Sequence, residues 1–408
     1  MLDDADQAML HGEAGPQVAL AMRIVSGLAR ASGARRLLDI SAAHIDGCLY
    51  NGEASLDFAK RLAGARVRVP TTLNVSSLDL LHPDLIRSDP EIQRRARQLM
   101  DAYTAIGARP TWTCAPYQDL TRPAFGDHIA WAESSAIVFA NSVLGARTGR
   151  YGDFIDAAAA ITGRAPAAGL HLDENRRAQI VFDVSGLSAG LKRRDAFFAV
   201  LGLVVGARSG GLVPAMVGVD TATEDQLKIL GAAAASAGSV GLFHMVGITP
   251  EAPTANQLAT SGLPQIMVTT DLLRAARQRI SADGGAGDLG SVHLGTPHYS
   301  ATQLDHLLDT LGGAPVRLSL YVSTGRDVLN AWGRADELSA LGVTIVTDTC
   351  TYVTSIAAPD SGMAMTDSAK WAYYAPGNVG LQAVLGSVEE CVESAVAGHL
   401  VKRDDQWT

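Results

Sequence analysis

The sequence predicts an α/β fold built from two or three lobes with clefts between them. Apolar positions at helical spacing alternate along the chain with short strand-like runs. The 41 glycines and the low aromatic content of 5% suit helices packed closely on sheets with tight turns. The length of 408 residues exceeds the roughly 100–200 residues of one domain and allows a large core.

Periodicity and turn residues place the individual elements. Helices are predicted at residues 5–31, 56–62 and 89–106. Strands are predicted at residues 36–40, 67–69, 136–140, 180–184, 316–322 and 343–346, with 239–243 a weaker candidate because of its glycine. Residues 197–207 form the longest apolar run, which indicates a buried strand or helix and is too short for a membrane span of about 20 residues.

Composition excludes several classes of protein. The chain carries 33 basic and 42 acidic side chains, a formal net charge of −9. Its basic residues are scattered among acids without interleaved aromatics, so no nucleic-acid partner is expected. The first residues show no secretory signal, which predicts a cytoplasmic protein without membrane attachment.

The four cysteines are widely spaced, which favours metal binding or burial over a disulfide. Cys114 lies in a segment typical of a loop, and Cys350 follows the strand at 343–346, where open α/β sheets bind ligands. Cys391 lies in the first turn of a predicted helix with Ser387 as its N-cap and Glu390 in a capping box, a structural context. Cys48 has His44 and Asp46 nearby, which is consistent with a ligand set or with a satisfied polar turn.

Polar clusters supply further candidates. Arg147 and Arg150 lie on a glycine-rich turn that suits an anion, although two solvated surface arginines explain the pattern as well. Glu133 and Ser134 precede the apolar run at 136–140, and Lys370 follows a stretch of hydroxyl side chains near a turn. His298 follows a Gly-Thr-Pro turn, and this position by itself is weak evidence for a functional role. The common hydrolase, NTPase, zincin and dinucleotide motifs do not occur.

Several segments together resemble the aconitase X family, whose members are dehydratases related to aconitase. The resemblance spans nearly the whole chain and is carried by MLHGEAG, HIDGCLY, VPTTLN, PTWTCAPY, IAWAESSAIVFANSVLGARTGRYGDF, AAITGRAP, LGTPH, TDTC and GSVEECV. It implies an aconitase-like fold, with residues 1–408 as the large catalytic region and without the small swivelling domain. A separately encoded small subunit would then dock over the cleft and complete the active site.

The resemblance also implies a cofactor. An iron–sulfur cluster or single iron would be bound by Cys114, Cys350 and Cys391, since soft thiolates suit iron. Many relatives have a cysteine in the turn that here reads Gly-Thr-Pro-His at residues 295–298. Its absence favours a two-iron cluster or a mononuclear iron over a larger cluster.

As a family member, the chain is expected to be a hydro-lyase. The expected substrate is the hydroxy acid cis-3-hydroxy-L-proline, dehydrated to a pyrroline carboxylate, with mevalonate 5-phosphate as the alternative. Ser134 and Lys370 are the catalytic candidates. The substrate-binding candidates are His44, Asn74, Glu133, Asn141, Arg147 and Arg150. A hypothesis from another class is a binding or regulatory protein that has kept the fold without the chemistry.

Overall fold

Three successive α/β lobes make up the protein, here a computed structural model that describes residues 2–118, 122–254, 260–282, 289–357 and 362–403. The helices are α1 (Asp4–His11), α2 (Pro16–Ala31), α3 (Glu53–Arg61), α4 (Pro90–Ala105), α5 (Ser134–Phe139), α6 (Ile155–Thr162), α7 (Ala189–Lys192), α8 (Asp195–Ser209), α9 (Glu224–Gly238), α10 (Thr270–Ile280), α11 (Ala301–Leu311), α12 (Arg326–Trp332), α13 (Ala335–Ala340), α14 (Ala369–Asn378) and α15 (Val388–Ala397).

The first lobe contains α1 to α6 and five short strands. These strands are β1 (Leu37–Asp39), β2 (Ala43–Ile45), β3 (Thr71–Leu73), β4 (Ala130–Trp131) and β5 (Arg164–Pro166). The parallel sheet has the order β3-β2-β4, and β1 pairs with β5 in antiparallel orientation. Apolar side chains of α2, α3, α4 and α6 bury the core of this lobe. Since β2 is the central strand, the residue that follows it lies between the loops that follow β3 and β4.

The second lobe contains α7 to α10 around a parallel sheet of order β8-β7-β6-β9. Its strands are β6 (Ile180–Asp183), β7 (Pro214–Val217), β8 (His244–Met245) and β9 (Gln265–Met267). Helices α8 and α9 pack closely because glycine leaves room between them. A Cβ on Gly202 would lie 2.5 Å from the carbonyl oxygen of Leu230. The apolar run at 197–207, predicted as a buried strand or helix, is a buried helix within α8.

The third lobe contains α11 to α15 around a five-stranded parallel sheet of order β12-β11-β10-β13-β14. Its strands are β10 (Leu289–Tyr299), β11 (Ser319–Thr324), β12 (Val343–Val346), β13 (Met363–Thr366) and β14 (Ala383–Leu385). The pairing of β10 with β11 is irregular between Leu294 and Tyr299. Gly295 lies in this irregular stretch with φ of +84°, and His298 lies at its end, next to Tyr299.

The predicted α/β fold with lobes around a cleft is confirmed. An open cavity of about 1410 Å³ lies between the lobes, with Tyr117 from the first, Lys228 from the second and Trp332 from the third lobe in its wall. Among the described residues, no helix is both long enough and apolar enough to cross a bilayer.

Three of the predicted strands are wrong. Residues 136–140 belong largely to α5, because the Glu133 carboxylate caps its N-terminus and accepts a hydrogen bond from the Ala136 N–H at 2.6 Å. Residues 67–69 are not a strand, since Arg68 and Val69 form a bend, and the strand follows at β3. Residues 239–243 form a loop before β8. Buried apolar runs of this length do not distinguish helix from strand by periodicity.

Gly295 should be irreplaceable in the third lobe. In Gly295→Ala the new Cβ would lie 2.1 Å from the Ser323 carbonyl oxygen, in a backbone conformation that L-residues rarely adopt. We expect a loss of at least about 2 kcal/mol in unfolding free energy, measured by urea denaturation. The control Gly313→Ala, at φ of +80° with open space around it, should lose only about 1 kcal/mol. Equal losses would contradict the steric argument.

Candidate metal and substrate site

The candidate site lies where the carboxyl ends of two parallel sheets face each other. Asp46, Asn74 and Glu133 follow the strands β2, β3 and β4 of the first lobe directly or within two residues. Cys350 and Lys370 follow β12 and β13 of the third lobe. Side chains at carboxyl ends of parallel strands converge on one edge of a sheet. Two such edges therefore supply the polar groups of a single site.

Two thiols and an imidazole form the centre of the site. The ligand atoms of Cys114, His298 and Cys350 lie within 4.8 Å of one another, and all three residues are buried. The amide N–H of His298 donates a hydrogen bond to the Cys114 Sγ at 3.3 Å. The first lobe thus supplies one thiol, and the third lobe supplies the other thiol and the imidazole.

The environment separates the acidities of the two thiols. Burial raises the pKa of the Cys114 thiol, but the hydrogen bond from Cys350 and the charge of His298 outweigh burial and lower this pKa to about 6. The pKa of Cys350 lies well above its ordinary value, because its thiol donates that hydrogen bond and is buried. Of the two thiols, Cys114 is therefore the one that ionises more readily.

Hydrogen bonds fix the loop that carries Cys350. Asp348, two residues before Cys350, has φ of +61°. Its carboxylate accepts hydrogen bonds from Arg326 Nε at 2.7 Å and from the Leu80 N–H at 3.0 Å. Next to it, the Thr347 N–H donates to the Asp79 carboxylate at 2.8 Å. The charged and polar partners come from both lobes, so the loop is held from two sides.

The Cys114 loop and the His298 ring are held together. The Thr113 N–H donates to the Leu73 carbonyl at 3.1 Å, which attaches the loop to β3. Thr113 Oγ1 lies 3.0 Å from His298 Nδ1, and His298 Nε2 lies 3.0 Å from the carbonyl oxygen of Thr349. From the second lobe, the buried Lys228 Nζ donates to the His298 carbonyl at 3.2 Å. The imidazole thus has a defined position next to both thiols.

A buried ion pair lies beside this group. Lys370 Nζ donates to Glu133 Oε1 and, at 3.3 Å, to Ser135 Oγ, and both charged side chains are at most 5% exposed. Burial raises the pKa of Glu133, but the charge and hydrogen bond of Lys370 outweigh it and hold this pKa below its usual value. Glu133 in turn keeps the pKa of Lys370 well above its ordinary value, although burial acts to lower it. The pair is therefore charged at neutral pH.

Unsatisfied polar atoms occupy the first-lobe side of the site. His44 is buried, its Nδ1 lies 2.8 Å from Thr72 Oγ1, and its Nε2 has no hydrogen-bond partner among the described residues. Burial lowers the pKa of His44 to about 4, against the charge of Glu133, so the ring is neutral at pH 7. Asn74 Nδ2 donates to Asp46 Oδ1, while Asn74 Oδ1 is likewise without a partner in the described part of the chain.

Eight of the eleven residues predicted for the site contribute to these two sheet edges. They are His44, Asn74, Cys114, Glu133, Ser134, Arg150, Cys350 and Lys370. Ser134 donates to Glu133 Oε1 at 3.3 Å, next to the ion pair. Arg150 is exposed and donates to the Val240 carbonyl at 3.1 Å. Partial desolvation of its guanidinium lowers its pKa, against the charges of Tyr374 and Glu133.

The structure does not bring Asn141, Arg147 and Cys391 to this group. The Asn141 amide is used within the fold, donating to Thr148 and Gly241 carbonyls and accepting from Arg176. Arg147 pairs with Asp173 and donates to the His171 carbonyl, on another side of the first lobe. Cys391 is buried in the apolar core of the third lobe, on the capped helix α15 that its sequence context predicted.

Sequence reasoning set aside His298 and considered Asp46 only as a neighbour of Cys48, in a ligand set or in a satisfied polar turn. The signal for His298 was its position directly after the Gly-Thr-Pro turn at residues 295–297. For Asp46, the signal was an acidic residue at the end of an apolar segment that is the central strand of its sheet.

The chemistry of this donor set fits a metal or an iron–sulfur cluster. Two sulfur ligands and an imidazole suit iron, and the lowered pKa of Cys114 already favours a thiolate. The apolar neighbours Val75 and Leu49 exclude water from the sulfur atoms. Both imidazole nitrogens have hydrogen-bond partners, so ligation through His298 requires one of these two hydrogen bonds to break.

Comparison with known families identifies the chain. The first, second and third domains of aconitase X match residues 1–174, 178–278 and 289–397, in the order of the three lobes. The chain belongs to the aconitase X family. The crystal structure of Thermococcus kodakaraensis aconitase X in its holo-form is similar, with a TM-score of 0.86 and 33% identity, covering 97% of this chain and 100% of that chain.

The aconitase X relatives fall into two named activities. A cis-3-hydroxy-L-proline dehydratase of Pseudomonas aeruginosa is 42% identical over 98% of this chain and 70% of that protein, and one of Hypocrea jecorina is 38% identical over 98% and 69%. A phosphomevalonate dehydratase large subunit of Methanothermobacter thermautotrophicus is 36% identical over 94% and 96%. The family prediction is confirmed, and the predicted dehydratase activity, a carbon–oxygen lyase activity, agrees with these names.

Removing the cation of the buried pair should make stability depend on pH in a defined direction. In Lys370→Met the Glu133 carboxylate stays buried without a counter-charge, and we expect a loss of about 3–5 kcal/mol in unfolding free energy near pH 8. Without Lys370 the folded-state pKa of Glu133 rises above its unfolded value. Protonation then favours the folded state, so the loss should shrink as pH falls toward about 5.5.

Urea unfolding at both pH values measures this effect. In the wild type the pKa of Glu133 is lowered, so its contribution is present above the unfolded pKa and is lost only in more acidic solution. The matched control Glu133→Gln with Lys370→Met carries no buried charge and should show no such recovery. A loss in Lys370→Met that stays constant across pH would contradict the argument.

Proposed function

We propose that this chain is the large, catalytic part of an iron-dependent dehydratase that removes water from cis-3-hydroxy-L-proline to give a pyrroline carboxylate. The observation that carries the proposal is the meeting of Cys114, His298 and Cys350 beside the buried Lys370–Glu133 pair. Elimination of hydroxide from a hydroxy acid needs a Lewis acid and fixed charges, and a metal with soft ligands beside a buried ion pair supplies both.

We propose Cys114, Cys350 and His298 as the metal-binding residues, holding a two-iron cluster or a single iron. Bound there, the iron supplies Lewis acidity that makes a substrate hydroxyl a better leaving group. Cys391 lies in the core of the third lobe, so His298 replaces it in the proposed ligand set.

The chain's own residues prepare the substrate for elimination. We propose that Arg150 binds the substrate carboxylate, since guanidinium groups match carboxylates and Arg150 lies near Glu133 at this edge. Lys370 and Ser134 hold the Glu133 carboxylate in place, beside the group of Cys114, His298 and Cys350. The proton alpha to the carboxylate needs a base, which we propose comes from the small subunit.

The choice of substrate rests on the relatives. The two hydroxyproline dehydratases reach 42% and 38% identity, and the phosphomevalonate dehydratase large subunit of Methanothermobacter reaches 36%. The chain spans about 70% of the hydroxyproline enzymes but 96% of that large subunit. We propose that a separate small subunit completes the site, as the term large subunit implies for that relative. The expected cytoplasmic location stays a prediction.

Mevalonate 5-phosphate is the second candidate substrate. Phosphomevalonate dehydratase large subunits match this chain over 96–99% of their own length, as expected for an enzyme of the same two-part organisation.

The assay that separates the candidates combines the anaerobically purified, iron-loaded chain with its small subunit and offers both compounds in parallel. Formation of a pyrroline carboxylate is the expected result. Turnover of mevalonate 5-phosphate alone would overturn the choice, and turnover of neither compound would favour a non-catalytic protein.

Cys114→Ser should abolish iron binding without unfolding the chain. The substitution removes one soft ligand but leaves a small polar side chain in the same loop, whose backbone hydrogen bonds remain. Iron content per chain and circular dichroism measure the two effects. The control Cys391→Ser, at an equally buried thiol in the third-lobe core, should keep its iron. Iron retained in Cys114→Ser, or lost in a folded Cys391→Ser, would refute the proposed ligand set.

A further inference from the structure

Asp46 occupies a central position in the candidate site. It follows the central strand β2, between Asn74 after β3 and Glu133 after β4. Its backbone is fixed because its N–H donates to Asp156 Oδ2 at 2.6 Å. The residue is half-buried at this edge of the sheet.

An ionised Asp46 carboxylate is unfavourable in these surroundings. Burial raises the pKa of Asp46 well above its ordinary value, and the charges of Glu133, Asp153 and Asp156 raise it further, so a nearby cation is needed to favour the carboxylate. Lys370 neutralises Glu133 only, and within the described residues no basic side chain forms an ion pair with Asp46. A cation bound next to Asp46 would relieve this repulsion.

A second acceptor next to Asp46 is unsatisfied. The Asn74 side chain is 3% exposed, and its Nδ2 donates to Asp46 Oδ1. This hydrogen bond orients the amide and leaves Asn74 Oδ1 buried without a donor among the described residues. A buried carbonyl oxygen without a hydrogen bond is costly, so a donor is expected to occupy this place when the site is in use.

We propose that Asp46 and Asn74 form the subsite for the ring ammonium of a cyclic amino acid. A secondary ammonium has two N–H groups and one positive charge. One N–H donates to the Asp46 carboxylate, and the other donates to Asn74 Oδ1. The inference rests on the proposed function and deepens it, because mevalonate 5-phosphate contains no nitrogen that could use this subsite.

A metal ion fits this position less well than an ammonium group. Across the described ranges, the donor atoms of the acidic side chains around Asp46 do not converge as metal ligands, whereas those of Cys114, His298 and Cys350 do. An ammonium group needs only one charged and one neutral acceptor, and these are the two groups present.

The test compares two unreactive ring compounds on the holoenzyme by titration calorimetry. L-Proline and (S)-tetrahydrofuran-2-carboxylate have the same ring size and carboxylate, but the second has an ether oxygen in place of the ammonium. The wild type should bind L-proline at least about tenfold more tightly, as expected for a charge-assisted hydrogen bond. Asp46→Asn should reduce this preference to about twofold or less, because the amide keeps the shape of the side chain but not its charge.

Two further variants keep the result interpretable. Asp153→Asn removes the same charge from a neighbouring acid that is not in the subsite, and it should keep the preference for L-proline. Asn74→Ala, which removes the second acceptor, should also weaken the preference. A wild type that binds both compounds equally would overturn the proposal even if no variant folds, and so would an Asp46→Asn variant that keeps the tenfold preference.

This test is separable from that of the proposed function. A holoenzyme that dehydrates cis-3-hydroxy-L-proline while Asp46→Asn keeps its preference for L-proline refutes the subsite alone. A holoenzyme that shows the preference, and loses it in Asp46→Asn, supports the subsite even where the assay identifies another cyclic amino acid as the substrate.

Discussion

The buried pair of Lys370 and Glu133 is the interaction on which the site depends. Each charge is desolvated, so each would be strongly unfavourable without the other. Glu133 belongs to the first lobe and Lys370 to the third, and their contact therefore holds the two sheet edges face to face. Only in this arrangement does Cys114 of the first lobe meet His298 and Cys350 of the third. Glu133 also caps α5, which links this contact to the backbone of the first lobe.

Charge compensation differs between the two sides of the site. On the third-lobe side, Lys370 balances Glu133, and hydrogen bonds satisfy both nitrogens of the His298 ring. On the first-lobe side, Asp46 has no counter-charge in the described part of the chain, and atoms of His44 and Asn74 lack partners. A satisfied network makes a site rigid, whereas unsatisfied groups mark where a ligand completes the network. The third-lobe side thus suits a scaffold, and the first-lobe side suits ligand recognition.

Sequence reasoning could predict features that depend on local pattern. The helix at α4 with its Asp89 cap, the capping box of α15 and the loop position of Cys114 all follow from neighbouring residues. The order of strands in a sheet does not, and it decides that Asp46 lies between Asn74 and Glu133. The strand predicted at 136–140 is wrong because a side-chain cap from Glu133 decides the conformation of an apolar run whose own pattern is ambiguous. Cys391 shows the same limit, since its burial in an apolar core depends on how α15 packs on the sheet.

The second lobe contributes to the site although it supplies none of the three soft ligand candidates. Its buried Lys228 donates to the carbonyl of His298 and also pairs with Asp225 at 2.7 Å. The irregular end of β10 would otherwise leave that carbonyl oxygen without a sheet partner, because the pairing with β11 is interrupted there. Lys228 thus replaces a missing ladder hydrogen bond with a charge-assisted one, which is stronger. The position of His298 is therefore set jointly by all three lobes, through Thr113 of the first, Lys228 of the second and Thr349 of the third. Because the position of His298 depends on contacts from all three lobes, metal binding and the packing of the lobes should be thermodynamically coupled.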